Sequence, residues 1–254
     1  MLEPFTSTAR THEKPFLGHL LWLDTIQAVK IAAKFSDFKS FQEALQRSLP
    51  FNSSCVRAKR AQDMIKWFFP SHSLNNLLVR VWVSYKNEQI LEEVMRYQFL
   101  TNQPTAAKFV LNYLLPLQPG TIVNTDLFRD FLLRENGVVK RYALNNLRRA
   151  CRDIGFLLQE KNKLVISQIP FPKTSLLVLT HFFLGQSART IAIKDVLSNP
   201  YWRYLGIRDS EVVRQIFREA DAEGIIAKYV IADQLEQITT RYSFDEFIQR
   251  RLGL

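Results

Sequence analysis

The chain has 254 residues, 47% of them hydrophobic and 12% aromatic, which supplies a sizeable core and argues against a disordered chain. Only 8 glycines in a composition rich in leucine and phenylalanine favour helices over a sandwich or barrel. The formal net charge is +10, a field that draws polyanions, nucleic acid first among them; a soluble protein that is simply basic is the competing reading.

The charge is uneven. Residues 1–119 carry 14 basic and 9 acidic side chains, residues 120–199 carry 12 and 6, and residues 200–254 carry 8 and 9. The start, MLEPFTSTARTHEKPF, lacks the apolar core of a signal peptide. The longest apolar run, SLLVLTHFFLG, is about half the ~20 residues that a membrane crossing needs. Cys55 and Cys151 both fall in helix-like segments, which implies no disulfide framework and fits a reducing compartment. The expectation is a cytoplasmic protein with no membrane association.

From Phe16 to Pro116 the pattern is helical almost throughout. LLWLDTIQAVKIAAKF has apolar residues at helical spacing. SFQEALQRSL follows, with Ser40 placed to cap it and Glu43 three residues on, as in a capping box. PFNSSCVRAKRAQDMIKWFFP is closed by prolines at both ends. SLNNLLVRVWVSY is rich in β-branched residues and fits helix or strand; its helical surroundings favour helix. NEQILEEVMRYQFLTN and PTAAKFVLNYLLPL complete a bundle over residues 1–118, and PLQPGTIVN reads as a linker.

Beyond it the pattern changes. TDLFRDFLLREN is a short helix, and KRYALNNLRRACRDI is a longer one ending at Gly155, where a C-terminal cap falls. FLLQEKNKLVISQI alternates about a polar turn, as a hairpin does. Residues 119–170 thus form one unit. In residues 171–254 three short helical pieces precede DSEVVRQIFREADAEG and a second hairpin, IIAKYVIADQLEQITTRYS, with a last helix at FDEFIQRRLGL. RACRDIGFL aligns with READAEGII, Arg149 with Arg218 and Gly155 with Gly224. A helix ending in glycine before an apolar strand and a turn is the grammar of a winged helix-turn-helix. The expected fold is mainly α: an N-terminal helical bundle, then one or two winged helix-turn-helix units with small β-hairpins.

On the wheel of the first such helix, Leu144, Leu147, Cys151, Ile154 and, one turn on, Leu158 form one apolar stripe. Arg141, Asn145, Arg148, Arg149 and Arg152 gather on a neighbouring arc. A helix offered to the major groove needs that division, with arginines for guanine edges or phosphates and asparagine for adenine. Lys140 precedes it, and Lys161 and Lys163 on the turn are placed for flanking phosphates. An ordinary solvated basic face is the alternative. The single-sign charge, the interleaved amides and the basic turn favour nucleic acid. The second helix mixes Arg214 and Arg218 with Glu211, Glu219, Asp221 and Glu223, which suits a structural or protein-contacting unit. A third candidate is the first turns of SSCVRAKR, where Arg57, Lys59 and Arg60 oppose the helix macrodipole. An anionic partner explains them, or a solvated face on which the cost is negligible.

Catalysis finds little support. His12, His19, His72 and His181 show no metal-ligand spacing, and no phosphate loop, nucleophile elbow or kinase set is present. Asp153 followed by Gln159-Glu160-Lys161 is the nearest thing to a nuclease signature, but its aspartate falls on a helix. No cofactor, metal or small-molecule substrate is expected.

Three stretches, WLDTIQAVKIA, SFQEALQRSLPFNSSCVRAKRAQDMI and YALNNLRRACRDIGFLL, follow an order that resembles the BrxA-like accessory proteins of bacteriophage-exclusion (BREX) defence systems, over Leu20 to Ile169. The resemblance implies a non-enzymatic protein that binds double-stranded DNA beside a methyltransferase and ATPases. It places Arg57, Lys59 and Arg60 on one basic helix, and Arg148, Arg149 and Arg152 on another. An interaction scaffold is the alternative function.

Overall fold

The computed structural model describes residues 20–185, 187–232 and 235–253; the N-terminal stretch read above, with His12 and His19, lies outside the described residues. Among these the chain is mainly helical, with thirteen α-helices and two three-stranded antiparallel sheets. No helix among them is long and apolar enough to cross a membrane.

Five helices open the chain: α1 (Trp22–Ala32), α2 (Phe38–Ser48), α3 (Ser54–Phe68), α4 (Leu77–Tyr85) and α5 (Glu88–Asn102). The β-branched α4 is helical because Asn76 accepts from the Val79 N–H at 3.0 Å and tertiary burial of Leu77, Leu78, Val79 and Val81 outweighs weak propensity. At α2 the cap is Asp37, which accepts from the Ser40 N–H at 2.9 Å, so the expected Ser40–Glu43 box is not formed. Those hydrogen bonds hold the Asp37 carboxyl below the usual carboxylate range. Trp22, Trp67, Phe68 and Phe69 are core, as their spacing predicts; Phe69 packs on Phe41 at 4.9 Å between ring centroids.

Next come α6 (Pro104–Phe109), a π-helical turn (Val110–Leu114), β1 (Ile122–Val123), α7 (Thr125–Asn136), α8 (Arg141–Asp153), β2 (Leu157–Glu160) and β3 (Lys163–Ile166). The stretch read as a linker is part of this packing. Ile122 and Val123 pair with Val165 and Leu164, and the Gly120 N–H donates to Ile166 O at 2.8 Å. Phe109, upstream of the prolines, packs tilted against Phe128 and Phe131 of α7, at 4.6 and 4.9 Å between ring centroids. Strand order is β1-β3-β2.

A similar order, with one more short helix and without the π-helical turn, recurs in α9 (Lys173–Leu184), β4 (Thr190–Ala192), α10 (Ile193–Ser198), α11 (Tyr201–Tyr204), α12 (Ser210–Ala222), β5 (Ile226–Ala232) and β6 (Leu235–Thr240), with sheet order β4-β6-β5. A capping-box helix, α13 (Phe244–Gln249), closes the chain. Tyr201 and Trp202 are buried. Both helix-to-strand junctions have one geometry. Gly155 and Gly224 take positive φ, +84° and +70°. The next residue's N–H reaches back five residues, Phe156 to Cys151 O at 2.9 Å and Ile225 to Ala220 O at 2.8 Å, the closure that ends a helix on a left-handed glycine.

Buried polar contacts join these parts around α5. Arg96 donates from Nε to Ile154 O at 2.6 Å and from Nη1 to Leu205 O at 3.1 Å, which fastens the ends of α8 and α11 to one guanidinium. Ser175 Oγ of α9 donates to Glu93 at 2.6 Å; burial raises the Glu93 carboxyl above its ordinary value. Arg203 and Arg208 donate to the carbonyls of Leu111, Leu115 and Leu117. Apolar burial is continuous across all these elements.

Candidate nucleic-acid interface

Helix α8 buries Ala143, Leu147, Ala150 and Cys151 and turns Arg141, Asn145, Arg149 and Arg152 to solvent, with Arg148 half-buried. Burial raises the Cys151 thiol well above its ordinary value; both cysteines are free. Leu144 is half-buried and Ile154 buried, but Leu158 departs from the expected stripe at 52% exposure. Gly155 ends the helical period, and in the strand that follows Leu157 points inward and Leu158 outward.

The hairpin presents Lys161 and Lys163 as exposed side chains. Gln159 stabilises its turn, with Nε2 donating to Lys161 O at 2.8 Å and Lys163 O at 3.2 Å; Lys161 itself has φ +53°. Asn145, Arg148, Arg149, Arg152, Gln159 and Leu164 line a shallow cleft of about 270 Å³ between α8 and the hairpin. Lys140, at the N-cap, is exposed.

Ion pairing on this face converges on Asp153, which faces Arg149 Nε at 3.3 Å and Arg152 Nη2 at 3.4 Å. Among the described residues no carboxylate lies within 4.0 Å of Lys140, Arg141, Arg148, Lys161 or Lys163. The matching face of α12 differs. Glu236 on β6 holds Arg214 through two contacts of 2.9 and 3.0 Å to Nε, Arg218 pairs with Glu211, and Tyr229 donates to Glu236. Surrounding carboxylates raise the proton affinity of both arginines.

The α3 candidates are dispersed in role. Arg57 donates from Nη1 to Phe51 O and Asn52 O, the turn before its own helix. Arg60 faces Asp63 at 3.8 Å, and Lys59 is exposed. Ser53 makes no side-chain cap. Arg57 lines a separate cleft with Glu43, Gln46, Arg47 and Ser54, so local carbonyls explain its position near a helix N-terminus.

Sequence reasoning missed the structural work of Arg96, Arg203 and Arg208, because their acceptors are main-chain oxygens far away in sequence. The nuclease-like set does not converge: Asp153 is engaged with arginines, and among the described residues no three His, Cys, Asp or Glu side chains group as metal ligands. His181 is buried against Phe247 at 3.9 Å between ring centroids and bonds Leu177 O through Nδ1; burial lowers it to about 4. No protein-family model, curated protein or solved structure matches the chain.

Proposed function

We propose that this protein binds double-stranded DNA without catalysis, with weak sequence preference, through α8 and the β2–β3 hairpin. In this reading α6 to β3 and α9 to β6 are two winged helix-turn-helix units, α8 is the recognition helix and the Lys161–Lys163 turn its wing. One observation carries it: a similar helix-and-hairpin arrangement occurs twice, and its cations are paired with carboxylates on α12 but, among the described residues, share only Asp153 on α8. The scaffold therefore does not require unpaired arginines, and a polyanion gives them a use. Bound to a duplex, Arg148, Arg149 and Arg152 contact phosphates or guanine edges and Asn145 an adenine edge. The resemblance to BrxA-like proteins extends the proposal to a cytoplasmic anti-phage complex with a methyltransferase and ATPases as neighbours.

The test is titration of a duplex over a salt series. A phosphate-dominated interface loses affinity with a log–log slope of about −0.9 per contacted phosphate. Arg148→Ala with Arg152→Ala flattens that slope by about 2 and weakens binding at least ~10-fold; unchanged binding removes α8 from the interface. A second reading, an interaction scaffold, is favoured by the exposed Ile231 (62%) and Leu235 (49%) on the second hairpin. Ile231→Ser with Leu235→Ser releases a protein partner under that reading and leaves duplex affinity unchanged under the first.

A further inference from the structure

Arg149 and Arg152 border two clefts of opposite character. One, about 420 Å³, lies against the start of α1 and contains Asp24 and Asp153. The other is the cleft of about 270 Å³ under the hairpin, where Arg148 and the amides of Asn145 and Gln159 meet no carboxylate among the described residues. Arg148, which lines that second cleft, has a buried Nε with no hydrogen-bond partner among the described residues. Buried donors left unpaired are rare, and this one belongs to a guanidinium whose fork fits two oxygens of a phosphate.

The contacts on the acidic side are weak. Charge-assisted N–H···O bonds ordinarily close to about 2.7–2.9 Å, whereas Asp153 stands 3.3 and 3.4 Å from its two arginines. Both cations also share that one carboxylate. An anion on the other side offers both guanidinium groups a shorter and undivided partner.

Resting on the DNA-binding reading above, we propose that the hairpin-side cleft seats one phosphodiester of duplex DNA, anchored by Arg148, and that Asp153 is the internal competitor that holds Arg149 and Arg152 until the phosphate displaces it. Asp153 thereby limits affinity for arbitrary duplex: each phosphate captured here costs the release of two existing contacts.

Fluorescence anisotropy of the full chain with a short random-sequence duplex over a salt series tests this, with melting curves to verify folding. Asp153→Asn tightens binding about 5- to 10-fold and steepens the slope by about 0.9, one phosphate's worth. Asp130→Asn, at an exposed acid on α7, makes the same change in net charge and shifts affinity less than ~2-fold. Arg148→Lys keeps the charge but lacks the fork, and weakens binding about 10-fold. If Asp153→Asn behaves like Asp130→Asn the competitor role is wrong, and if Arg148→Lys binds like the wild type the anchor is wrong. Inorganic phosphate competes no better than chloride at matched ionic strength; specific displacement makes this a free-phosphate site instead. Wild-type protein that binds no duplex at low salt overturns the DNA-binding reading as well, whereas a binding wild type with indifferent variants overturns only this assignment.

Discussion

Arg57, Arg96, Arg203 and Arg208 direct guanidinium N–H groups at main-chain carbonyls, while Arg141 and Arg148 have no carboxylate partner among the described residues. Part of the positive charge is therefore structural, and the part available to a polyanion is smaller than the net charge suggests. Arg96 is the clearest structural case, because it is buried and serves two segments. Replacing it with Met leaves Ile154 O and Leu205 O without their donor and should cost about 2–4 kcal/mol, read as a lower urea midpoint at unchanged m-value. Gly155 opposes it at close range: its φ is +84° and a Cβ would stand 3.1 Å from Arg96 Nη2. His181 makes a pH prediction. Its folded-state value of about 4 lies below the ordinary ~6.5, so the unfolded chain binds the proton first. Stability is full above pH ~6.5 and is lost as pH falls toward 4, by about 2 kcal/mol between pH 7 and 5. Denaturation at those two pH values should show that loss in the wild type and a smaller one in His181→Leu.

At the level of elements, the glycine-ended helices were readable because a left-handed residue leaves glycine in the sequence and an apolar strand must follow it. The hairpins were readable for the same reason, since a polar turn separates two alternating runs. β1 and β4 were not: two and three residues are too few for alternation to show. Nor was the place of α6, because Pro116, Pro119 and Gly120 mark a linker locally, whereas Phe109 is committed to α7 by contacts that no local pattern records. Leu158 leaves the apolar stripe because the helical period stops at Gly155, and Ser40 is not the cap of α2 because Asp37, three residues before it, takes that place. Of the proposed interface, the arc on α8 was legible from spacing alone. The cleft under the hairpin, the stitching of its turn by Gln159 and the unpaired Arg148 Nε depend on how β2 and β3 lie beside α8. Gln159→Ala removes both turn contacts and should leave stability within about 1 kcal/mol while weakening duplex binding through the loosened lysines. An unchanged affinity would show that the turn takes no part.

Across the whole molecule, one continuous core carries two copies of a helix-and-hairpin arrangement with opposite electrostatic treatment. On α12 both Arg214 and Arg218 close onto carboxylates, whereas on α8 Arg149 and Arg152 share Asp153 and Arg141 and Arg148 have no carboxylate partner among the described residues. DNA binding as proposed therefore places the nucleic acid on the first copy only. Backbone amide chemical-shift mapping with a short duplex at low salt tests this most directly. Perturbations should cluster at Arg141–Arg152 and Lys161–Lys163 and leave Ser210–Ala222 and Ile226–Thr240 unmoved. A footprint confined to the second hairpin or to α3, or none at all, contradicts it.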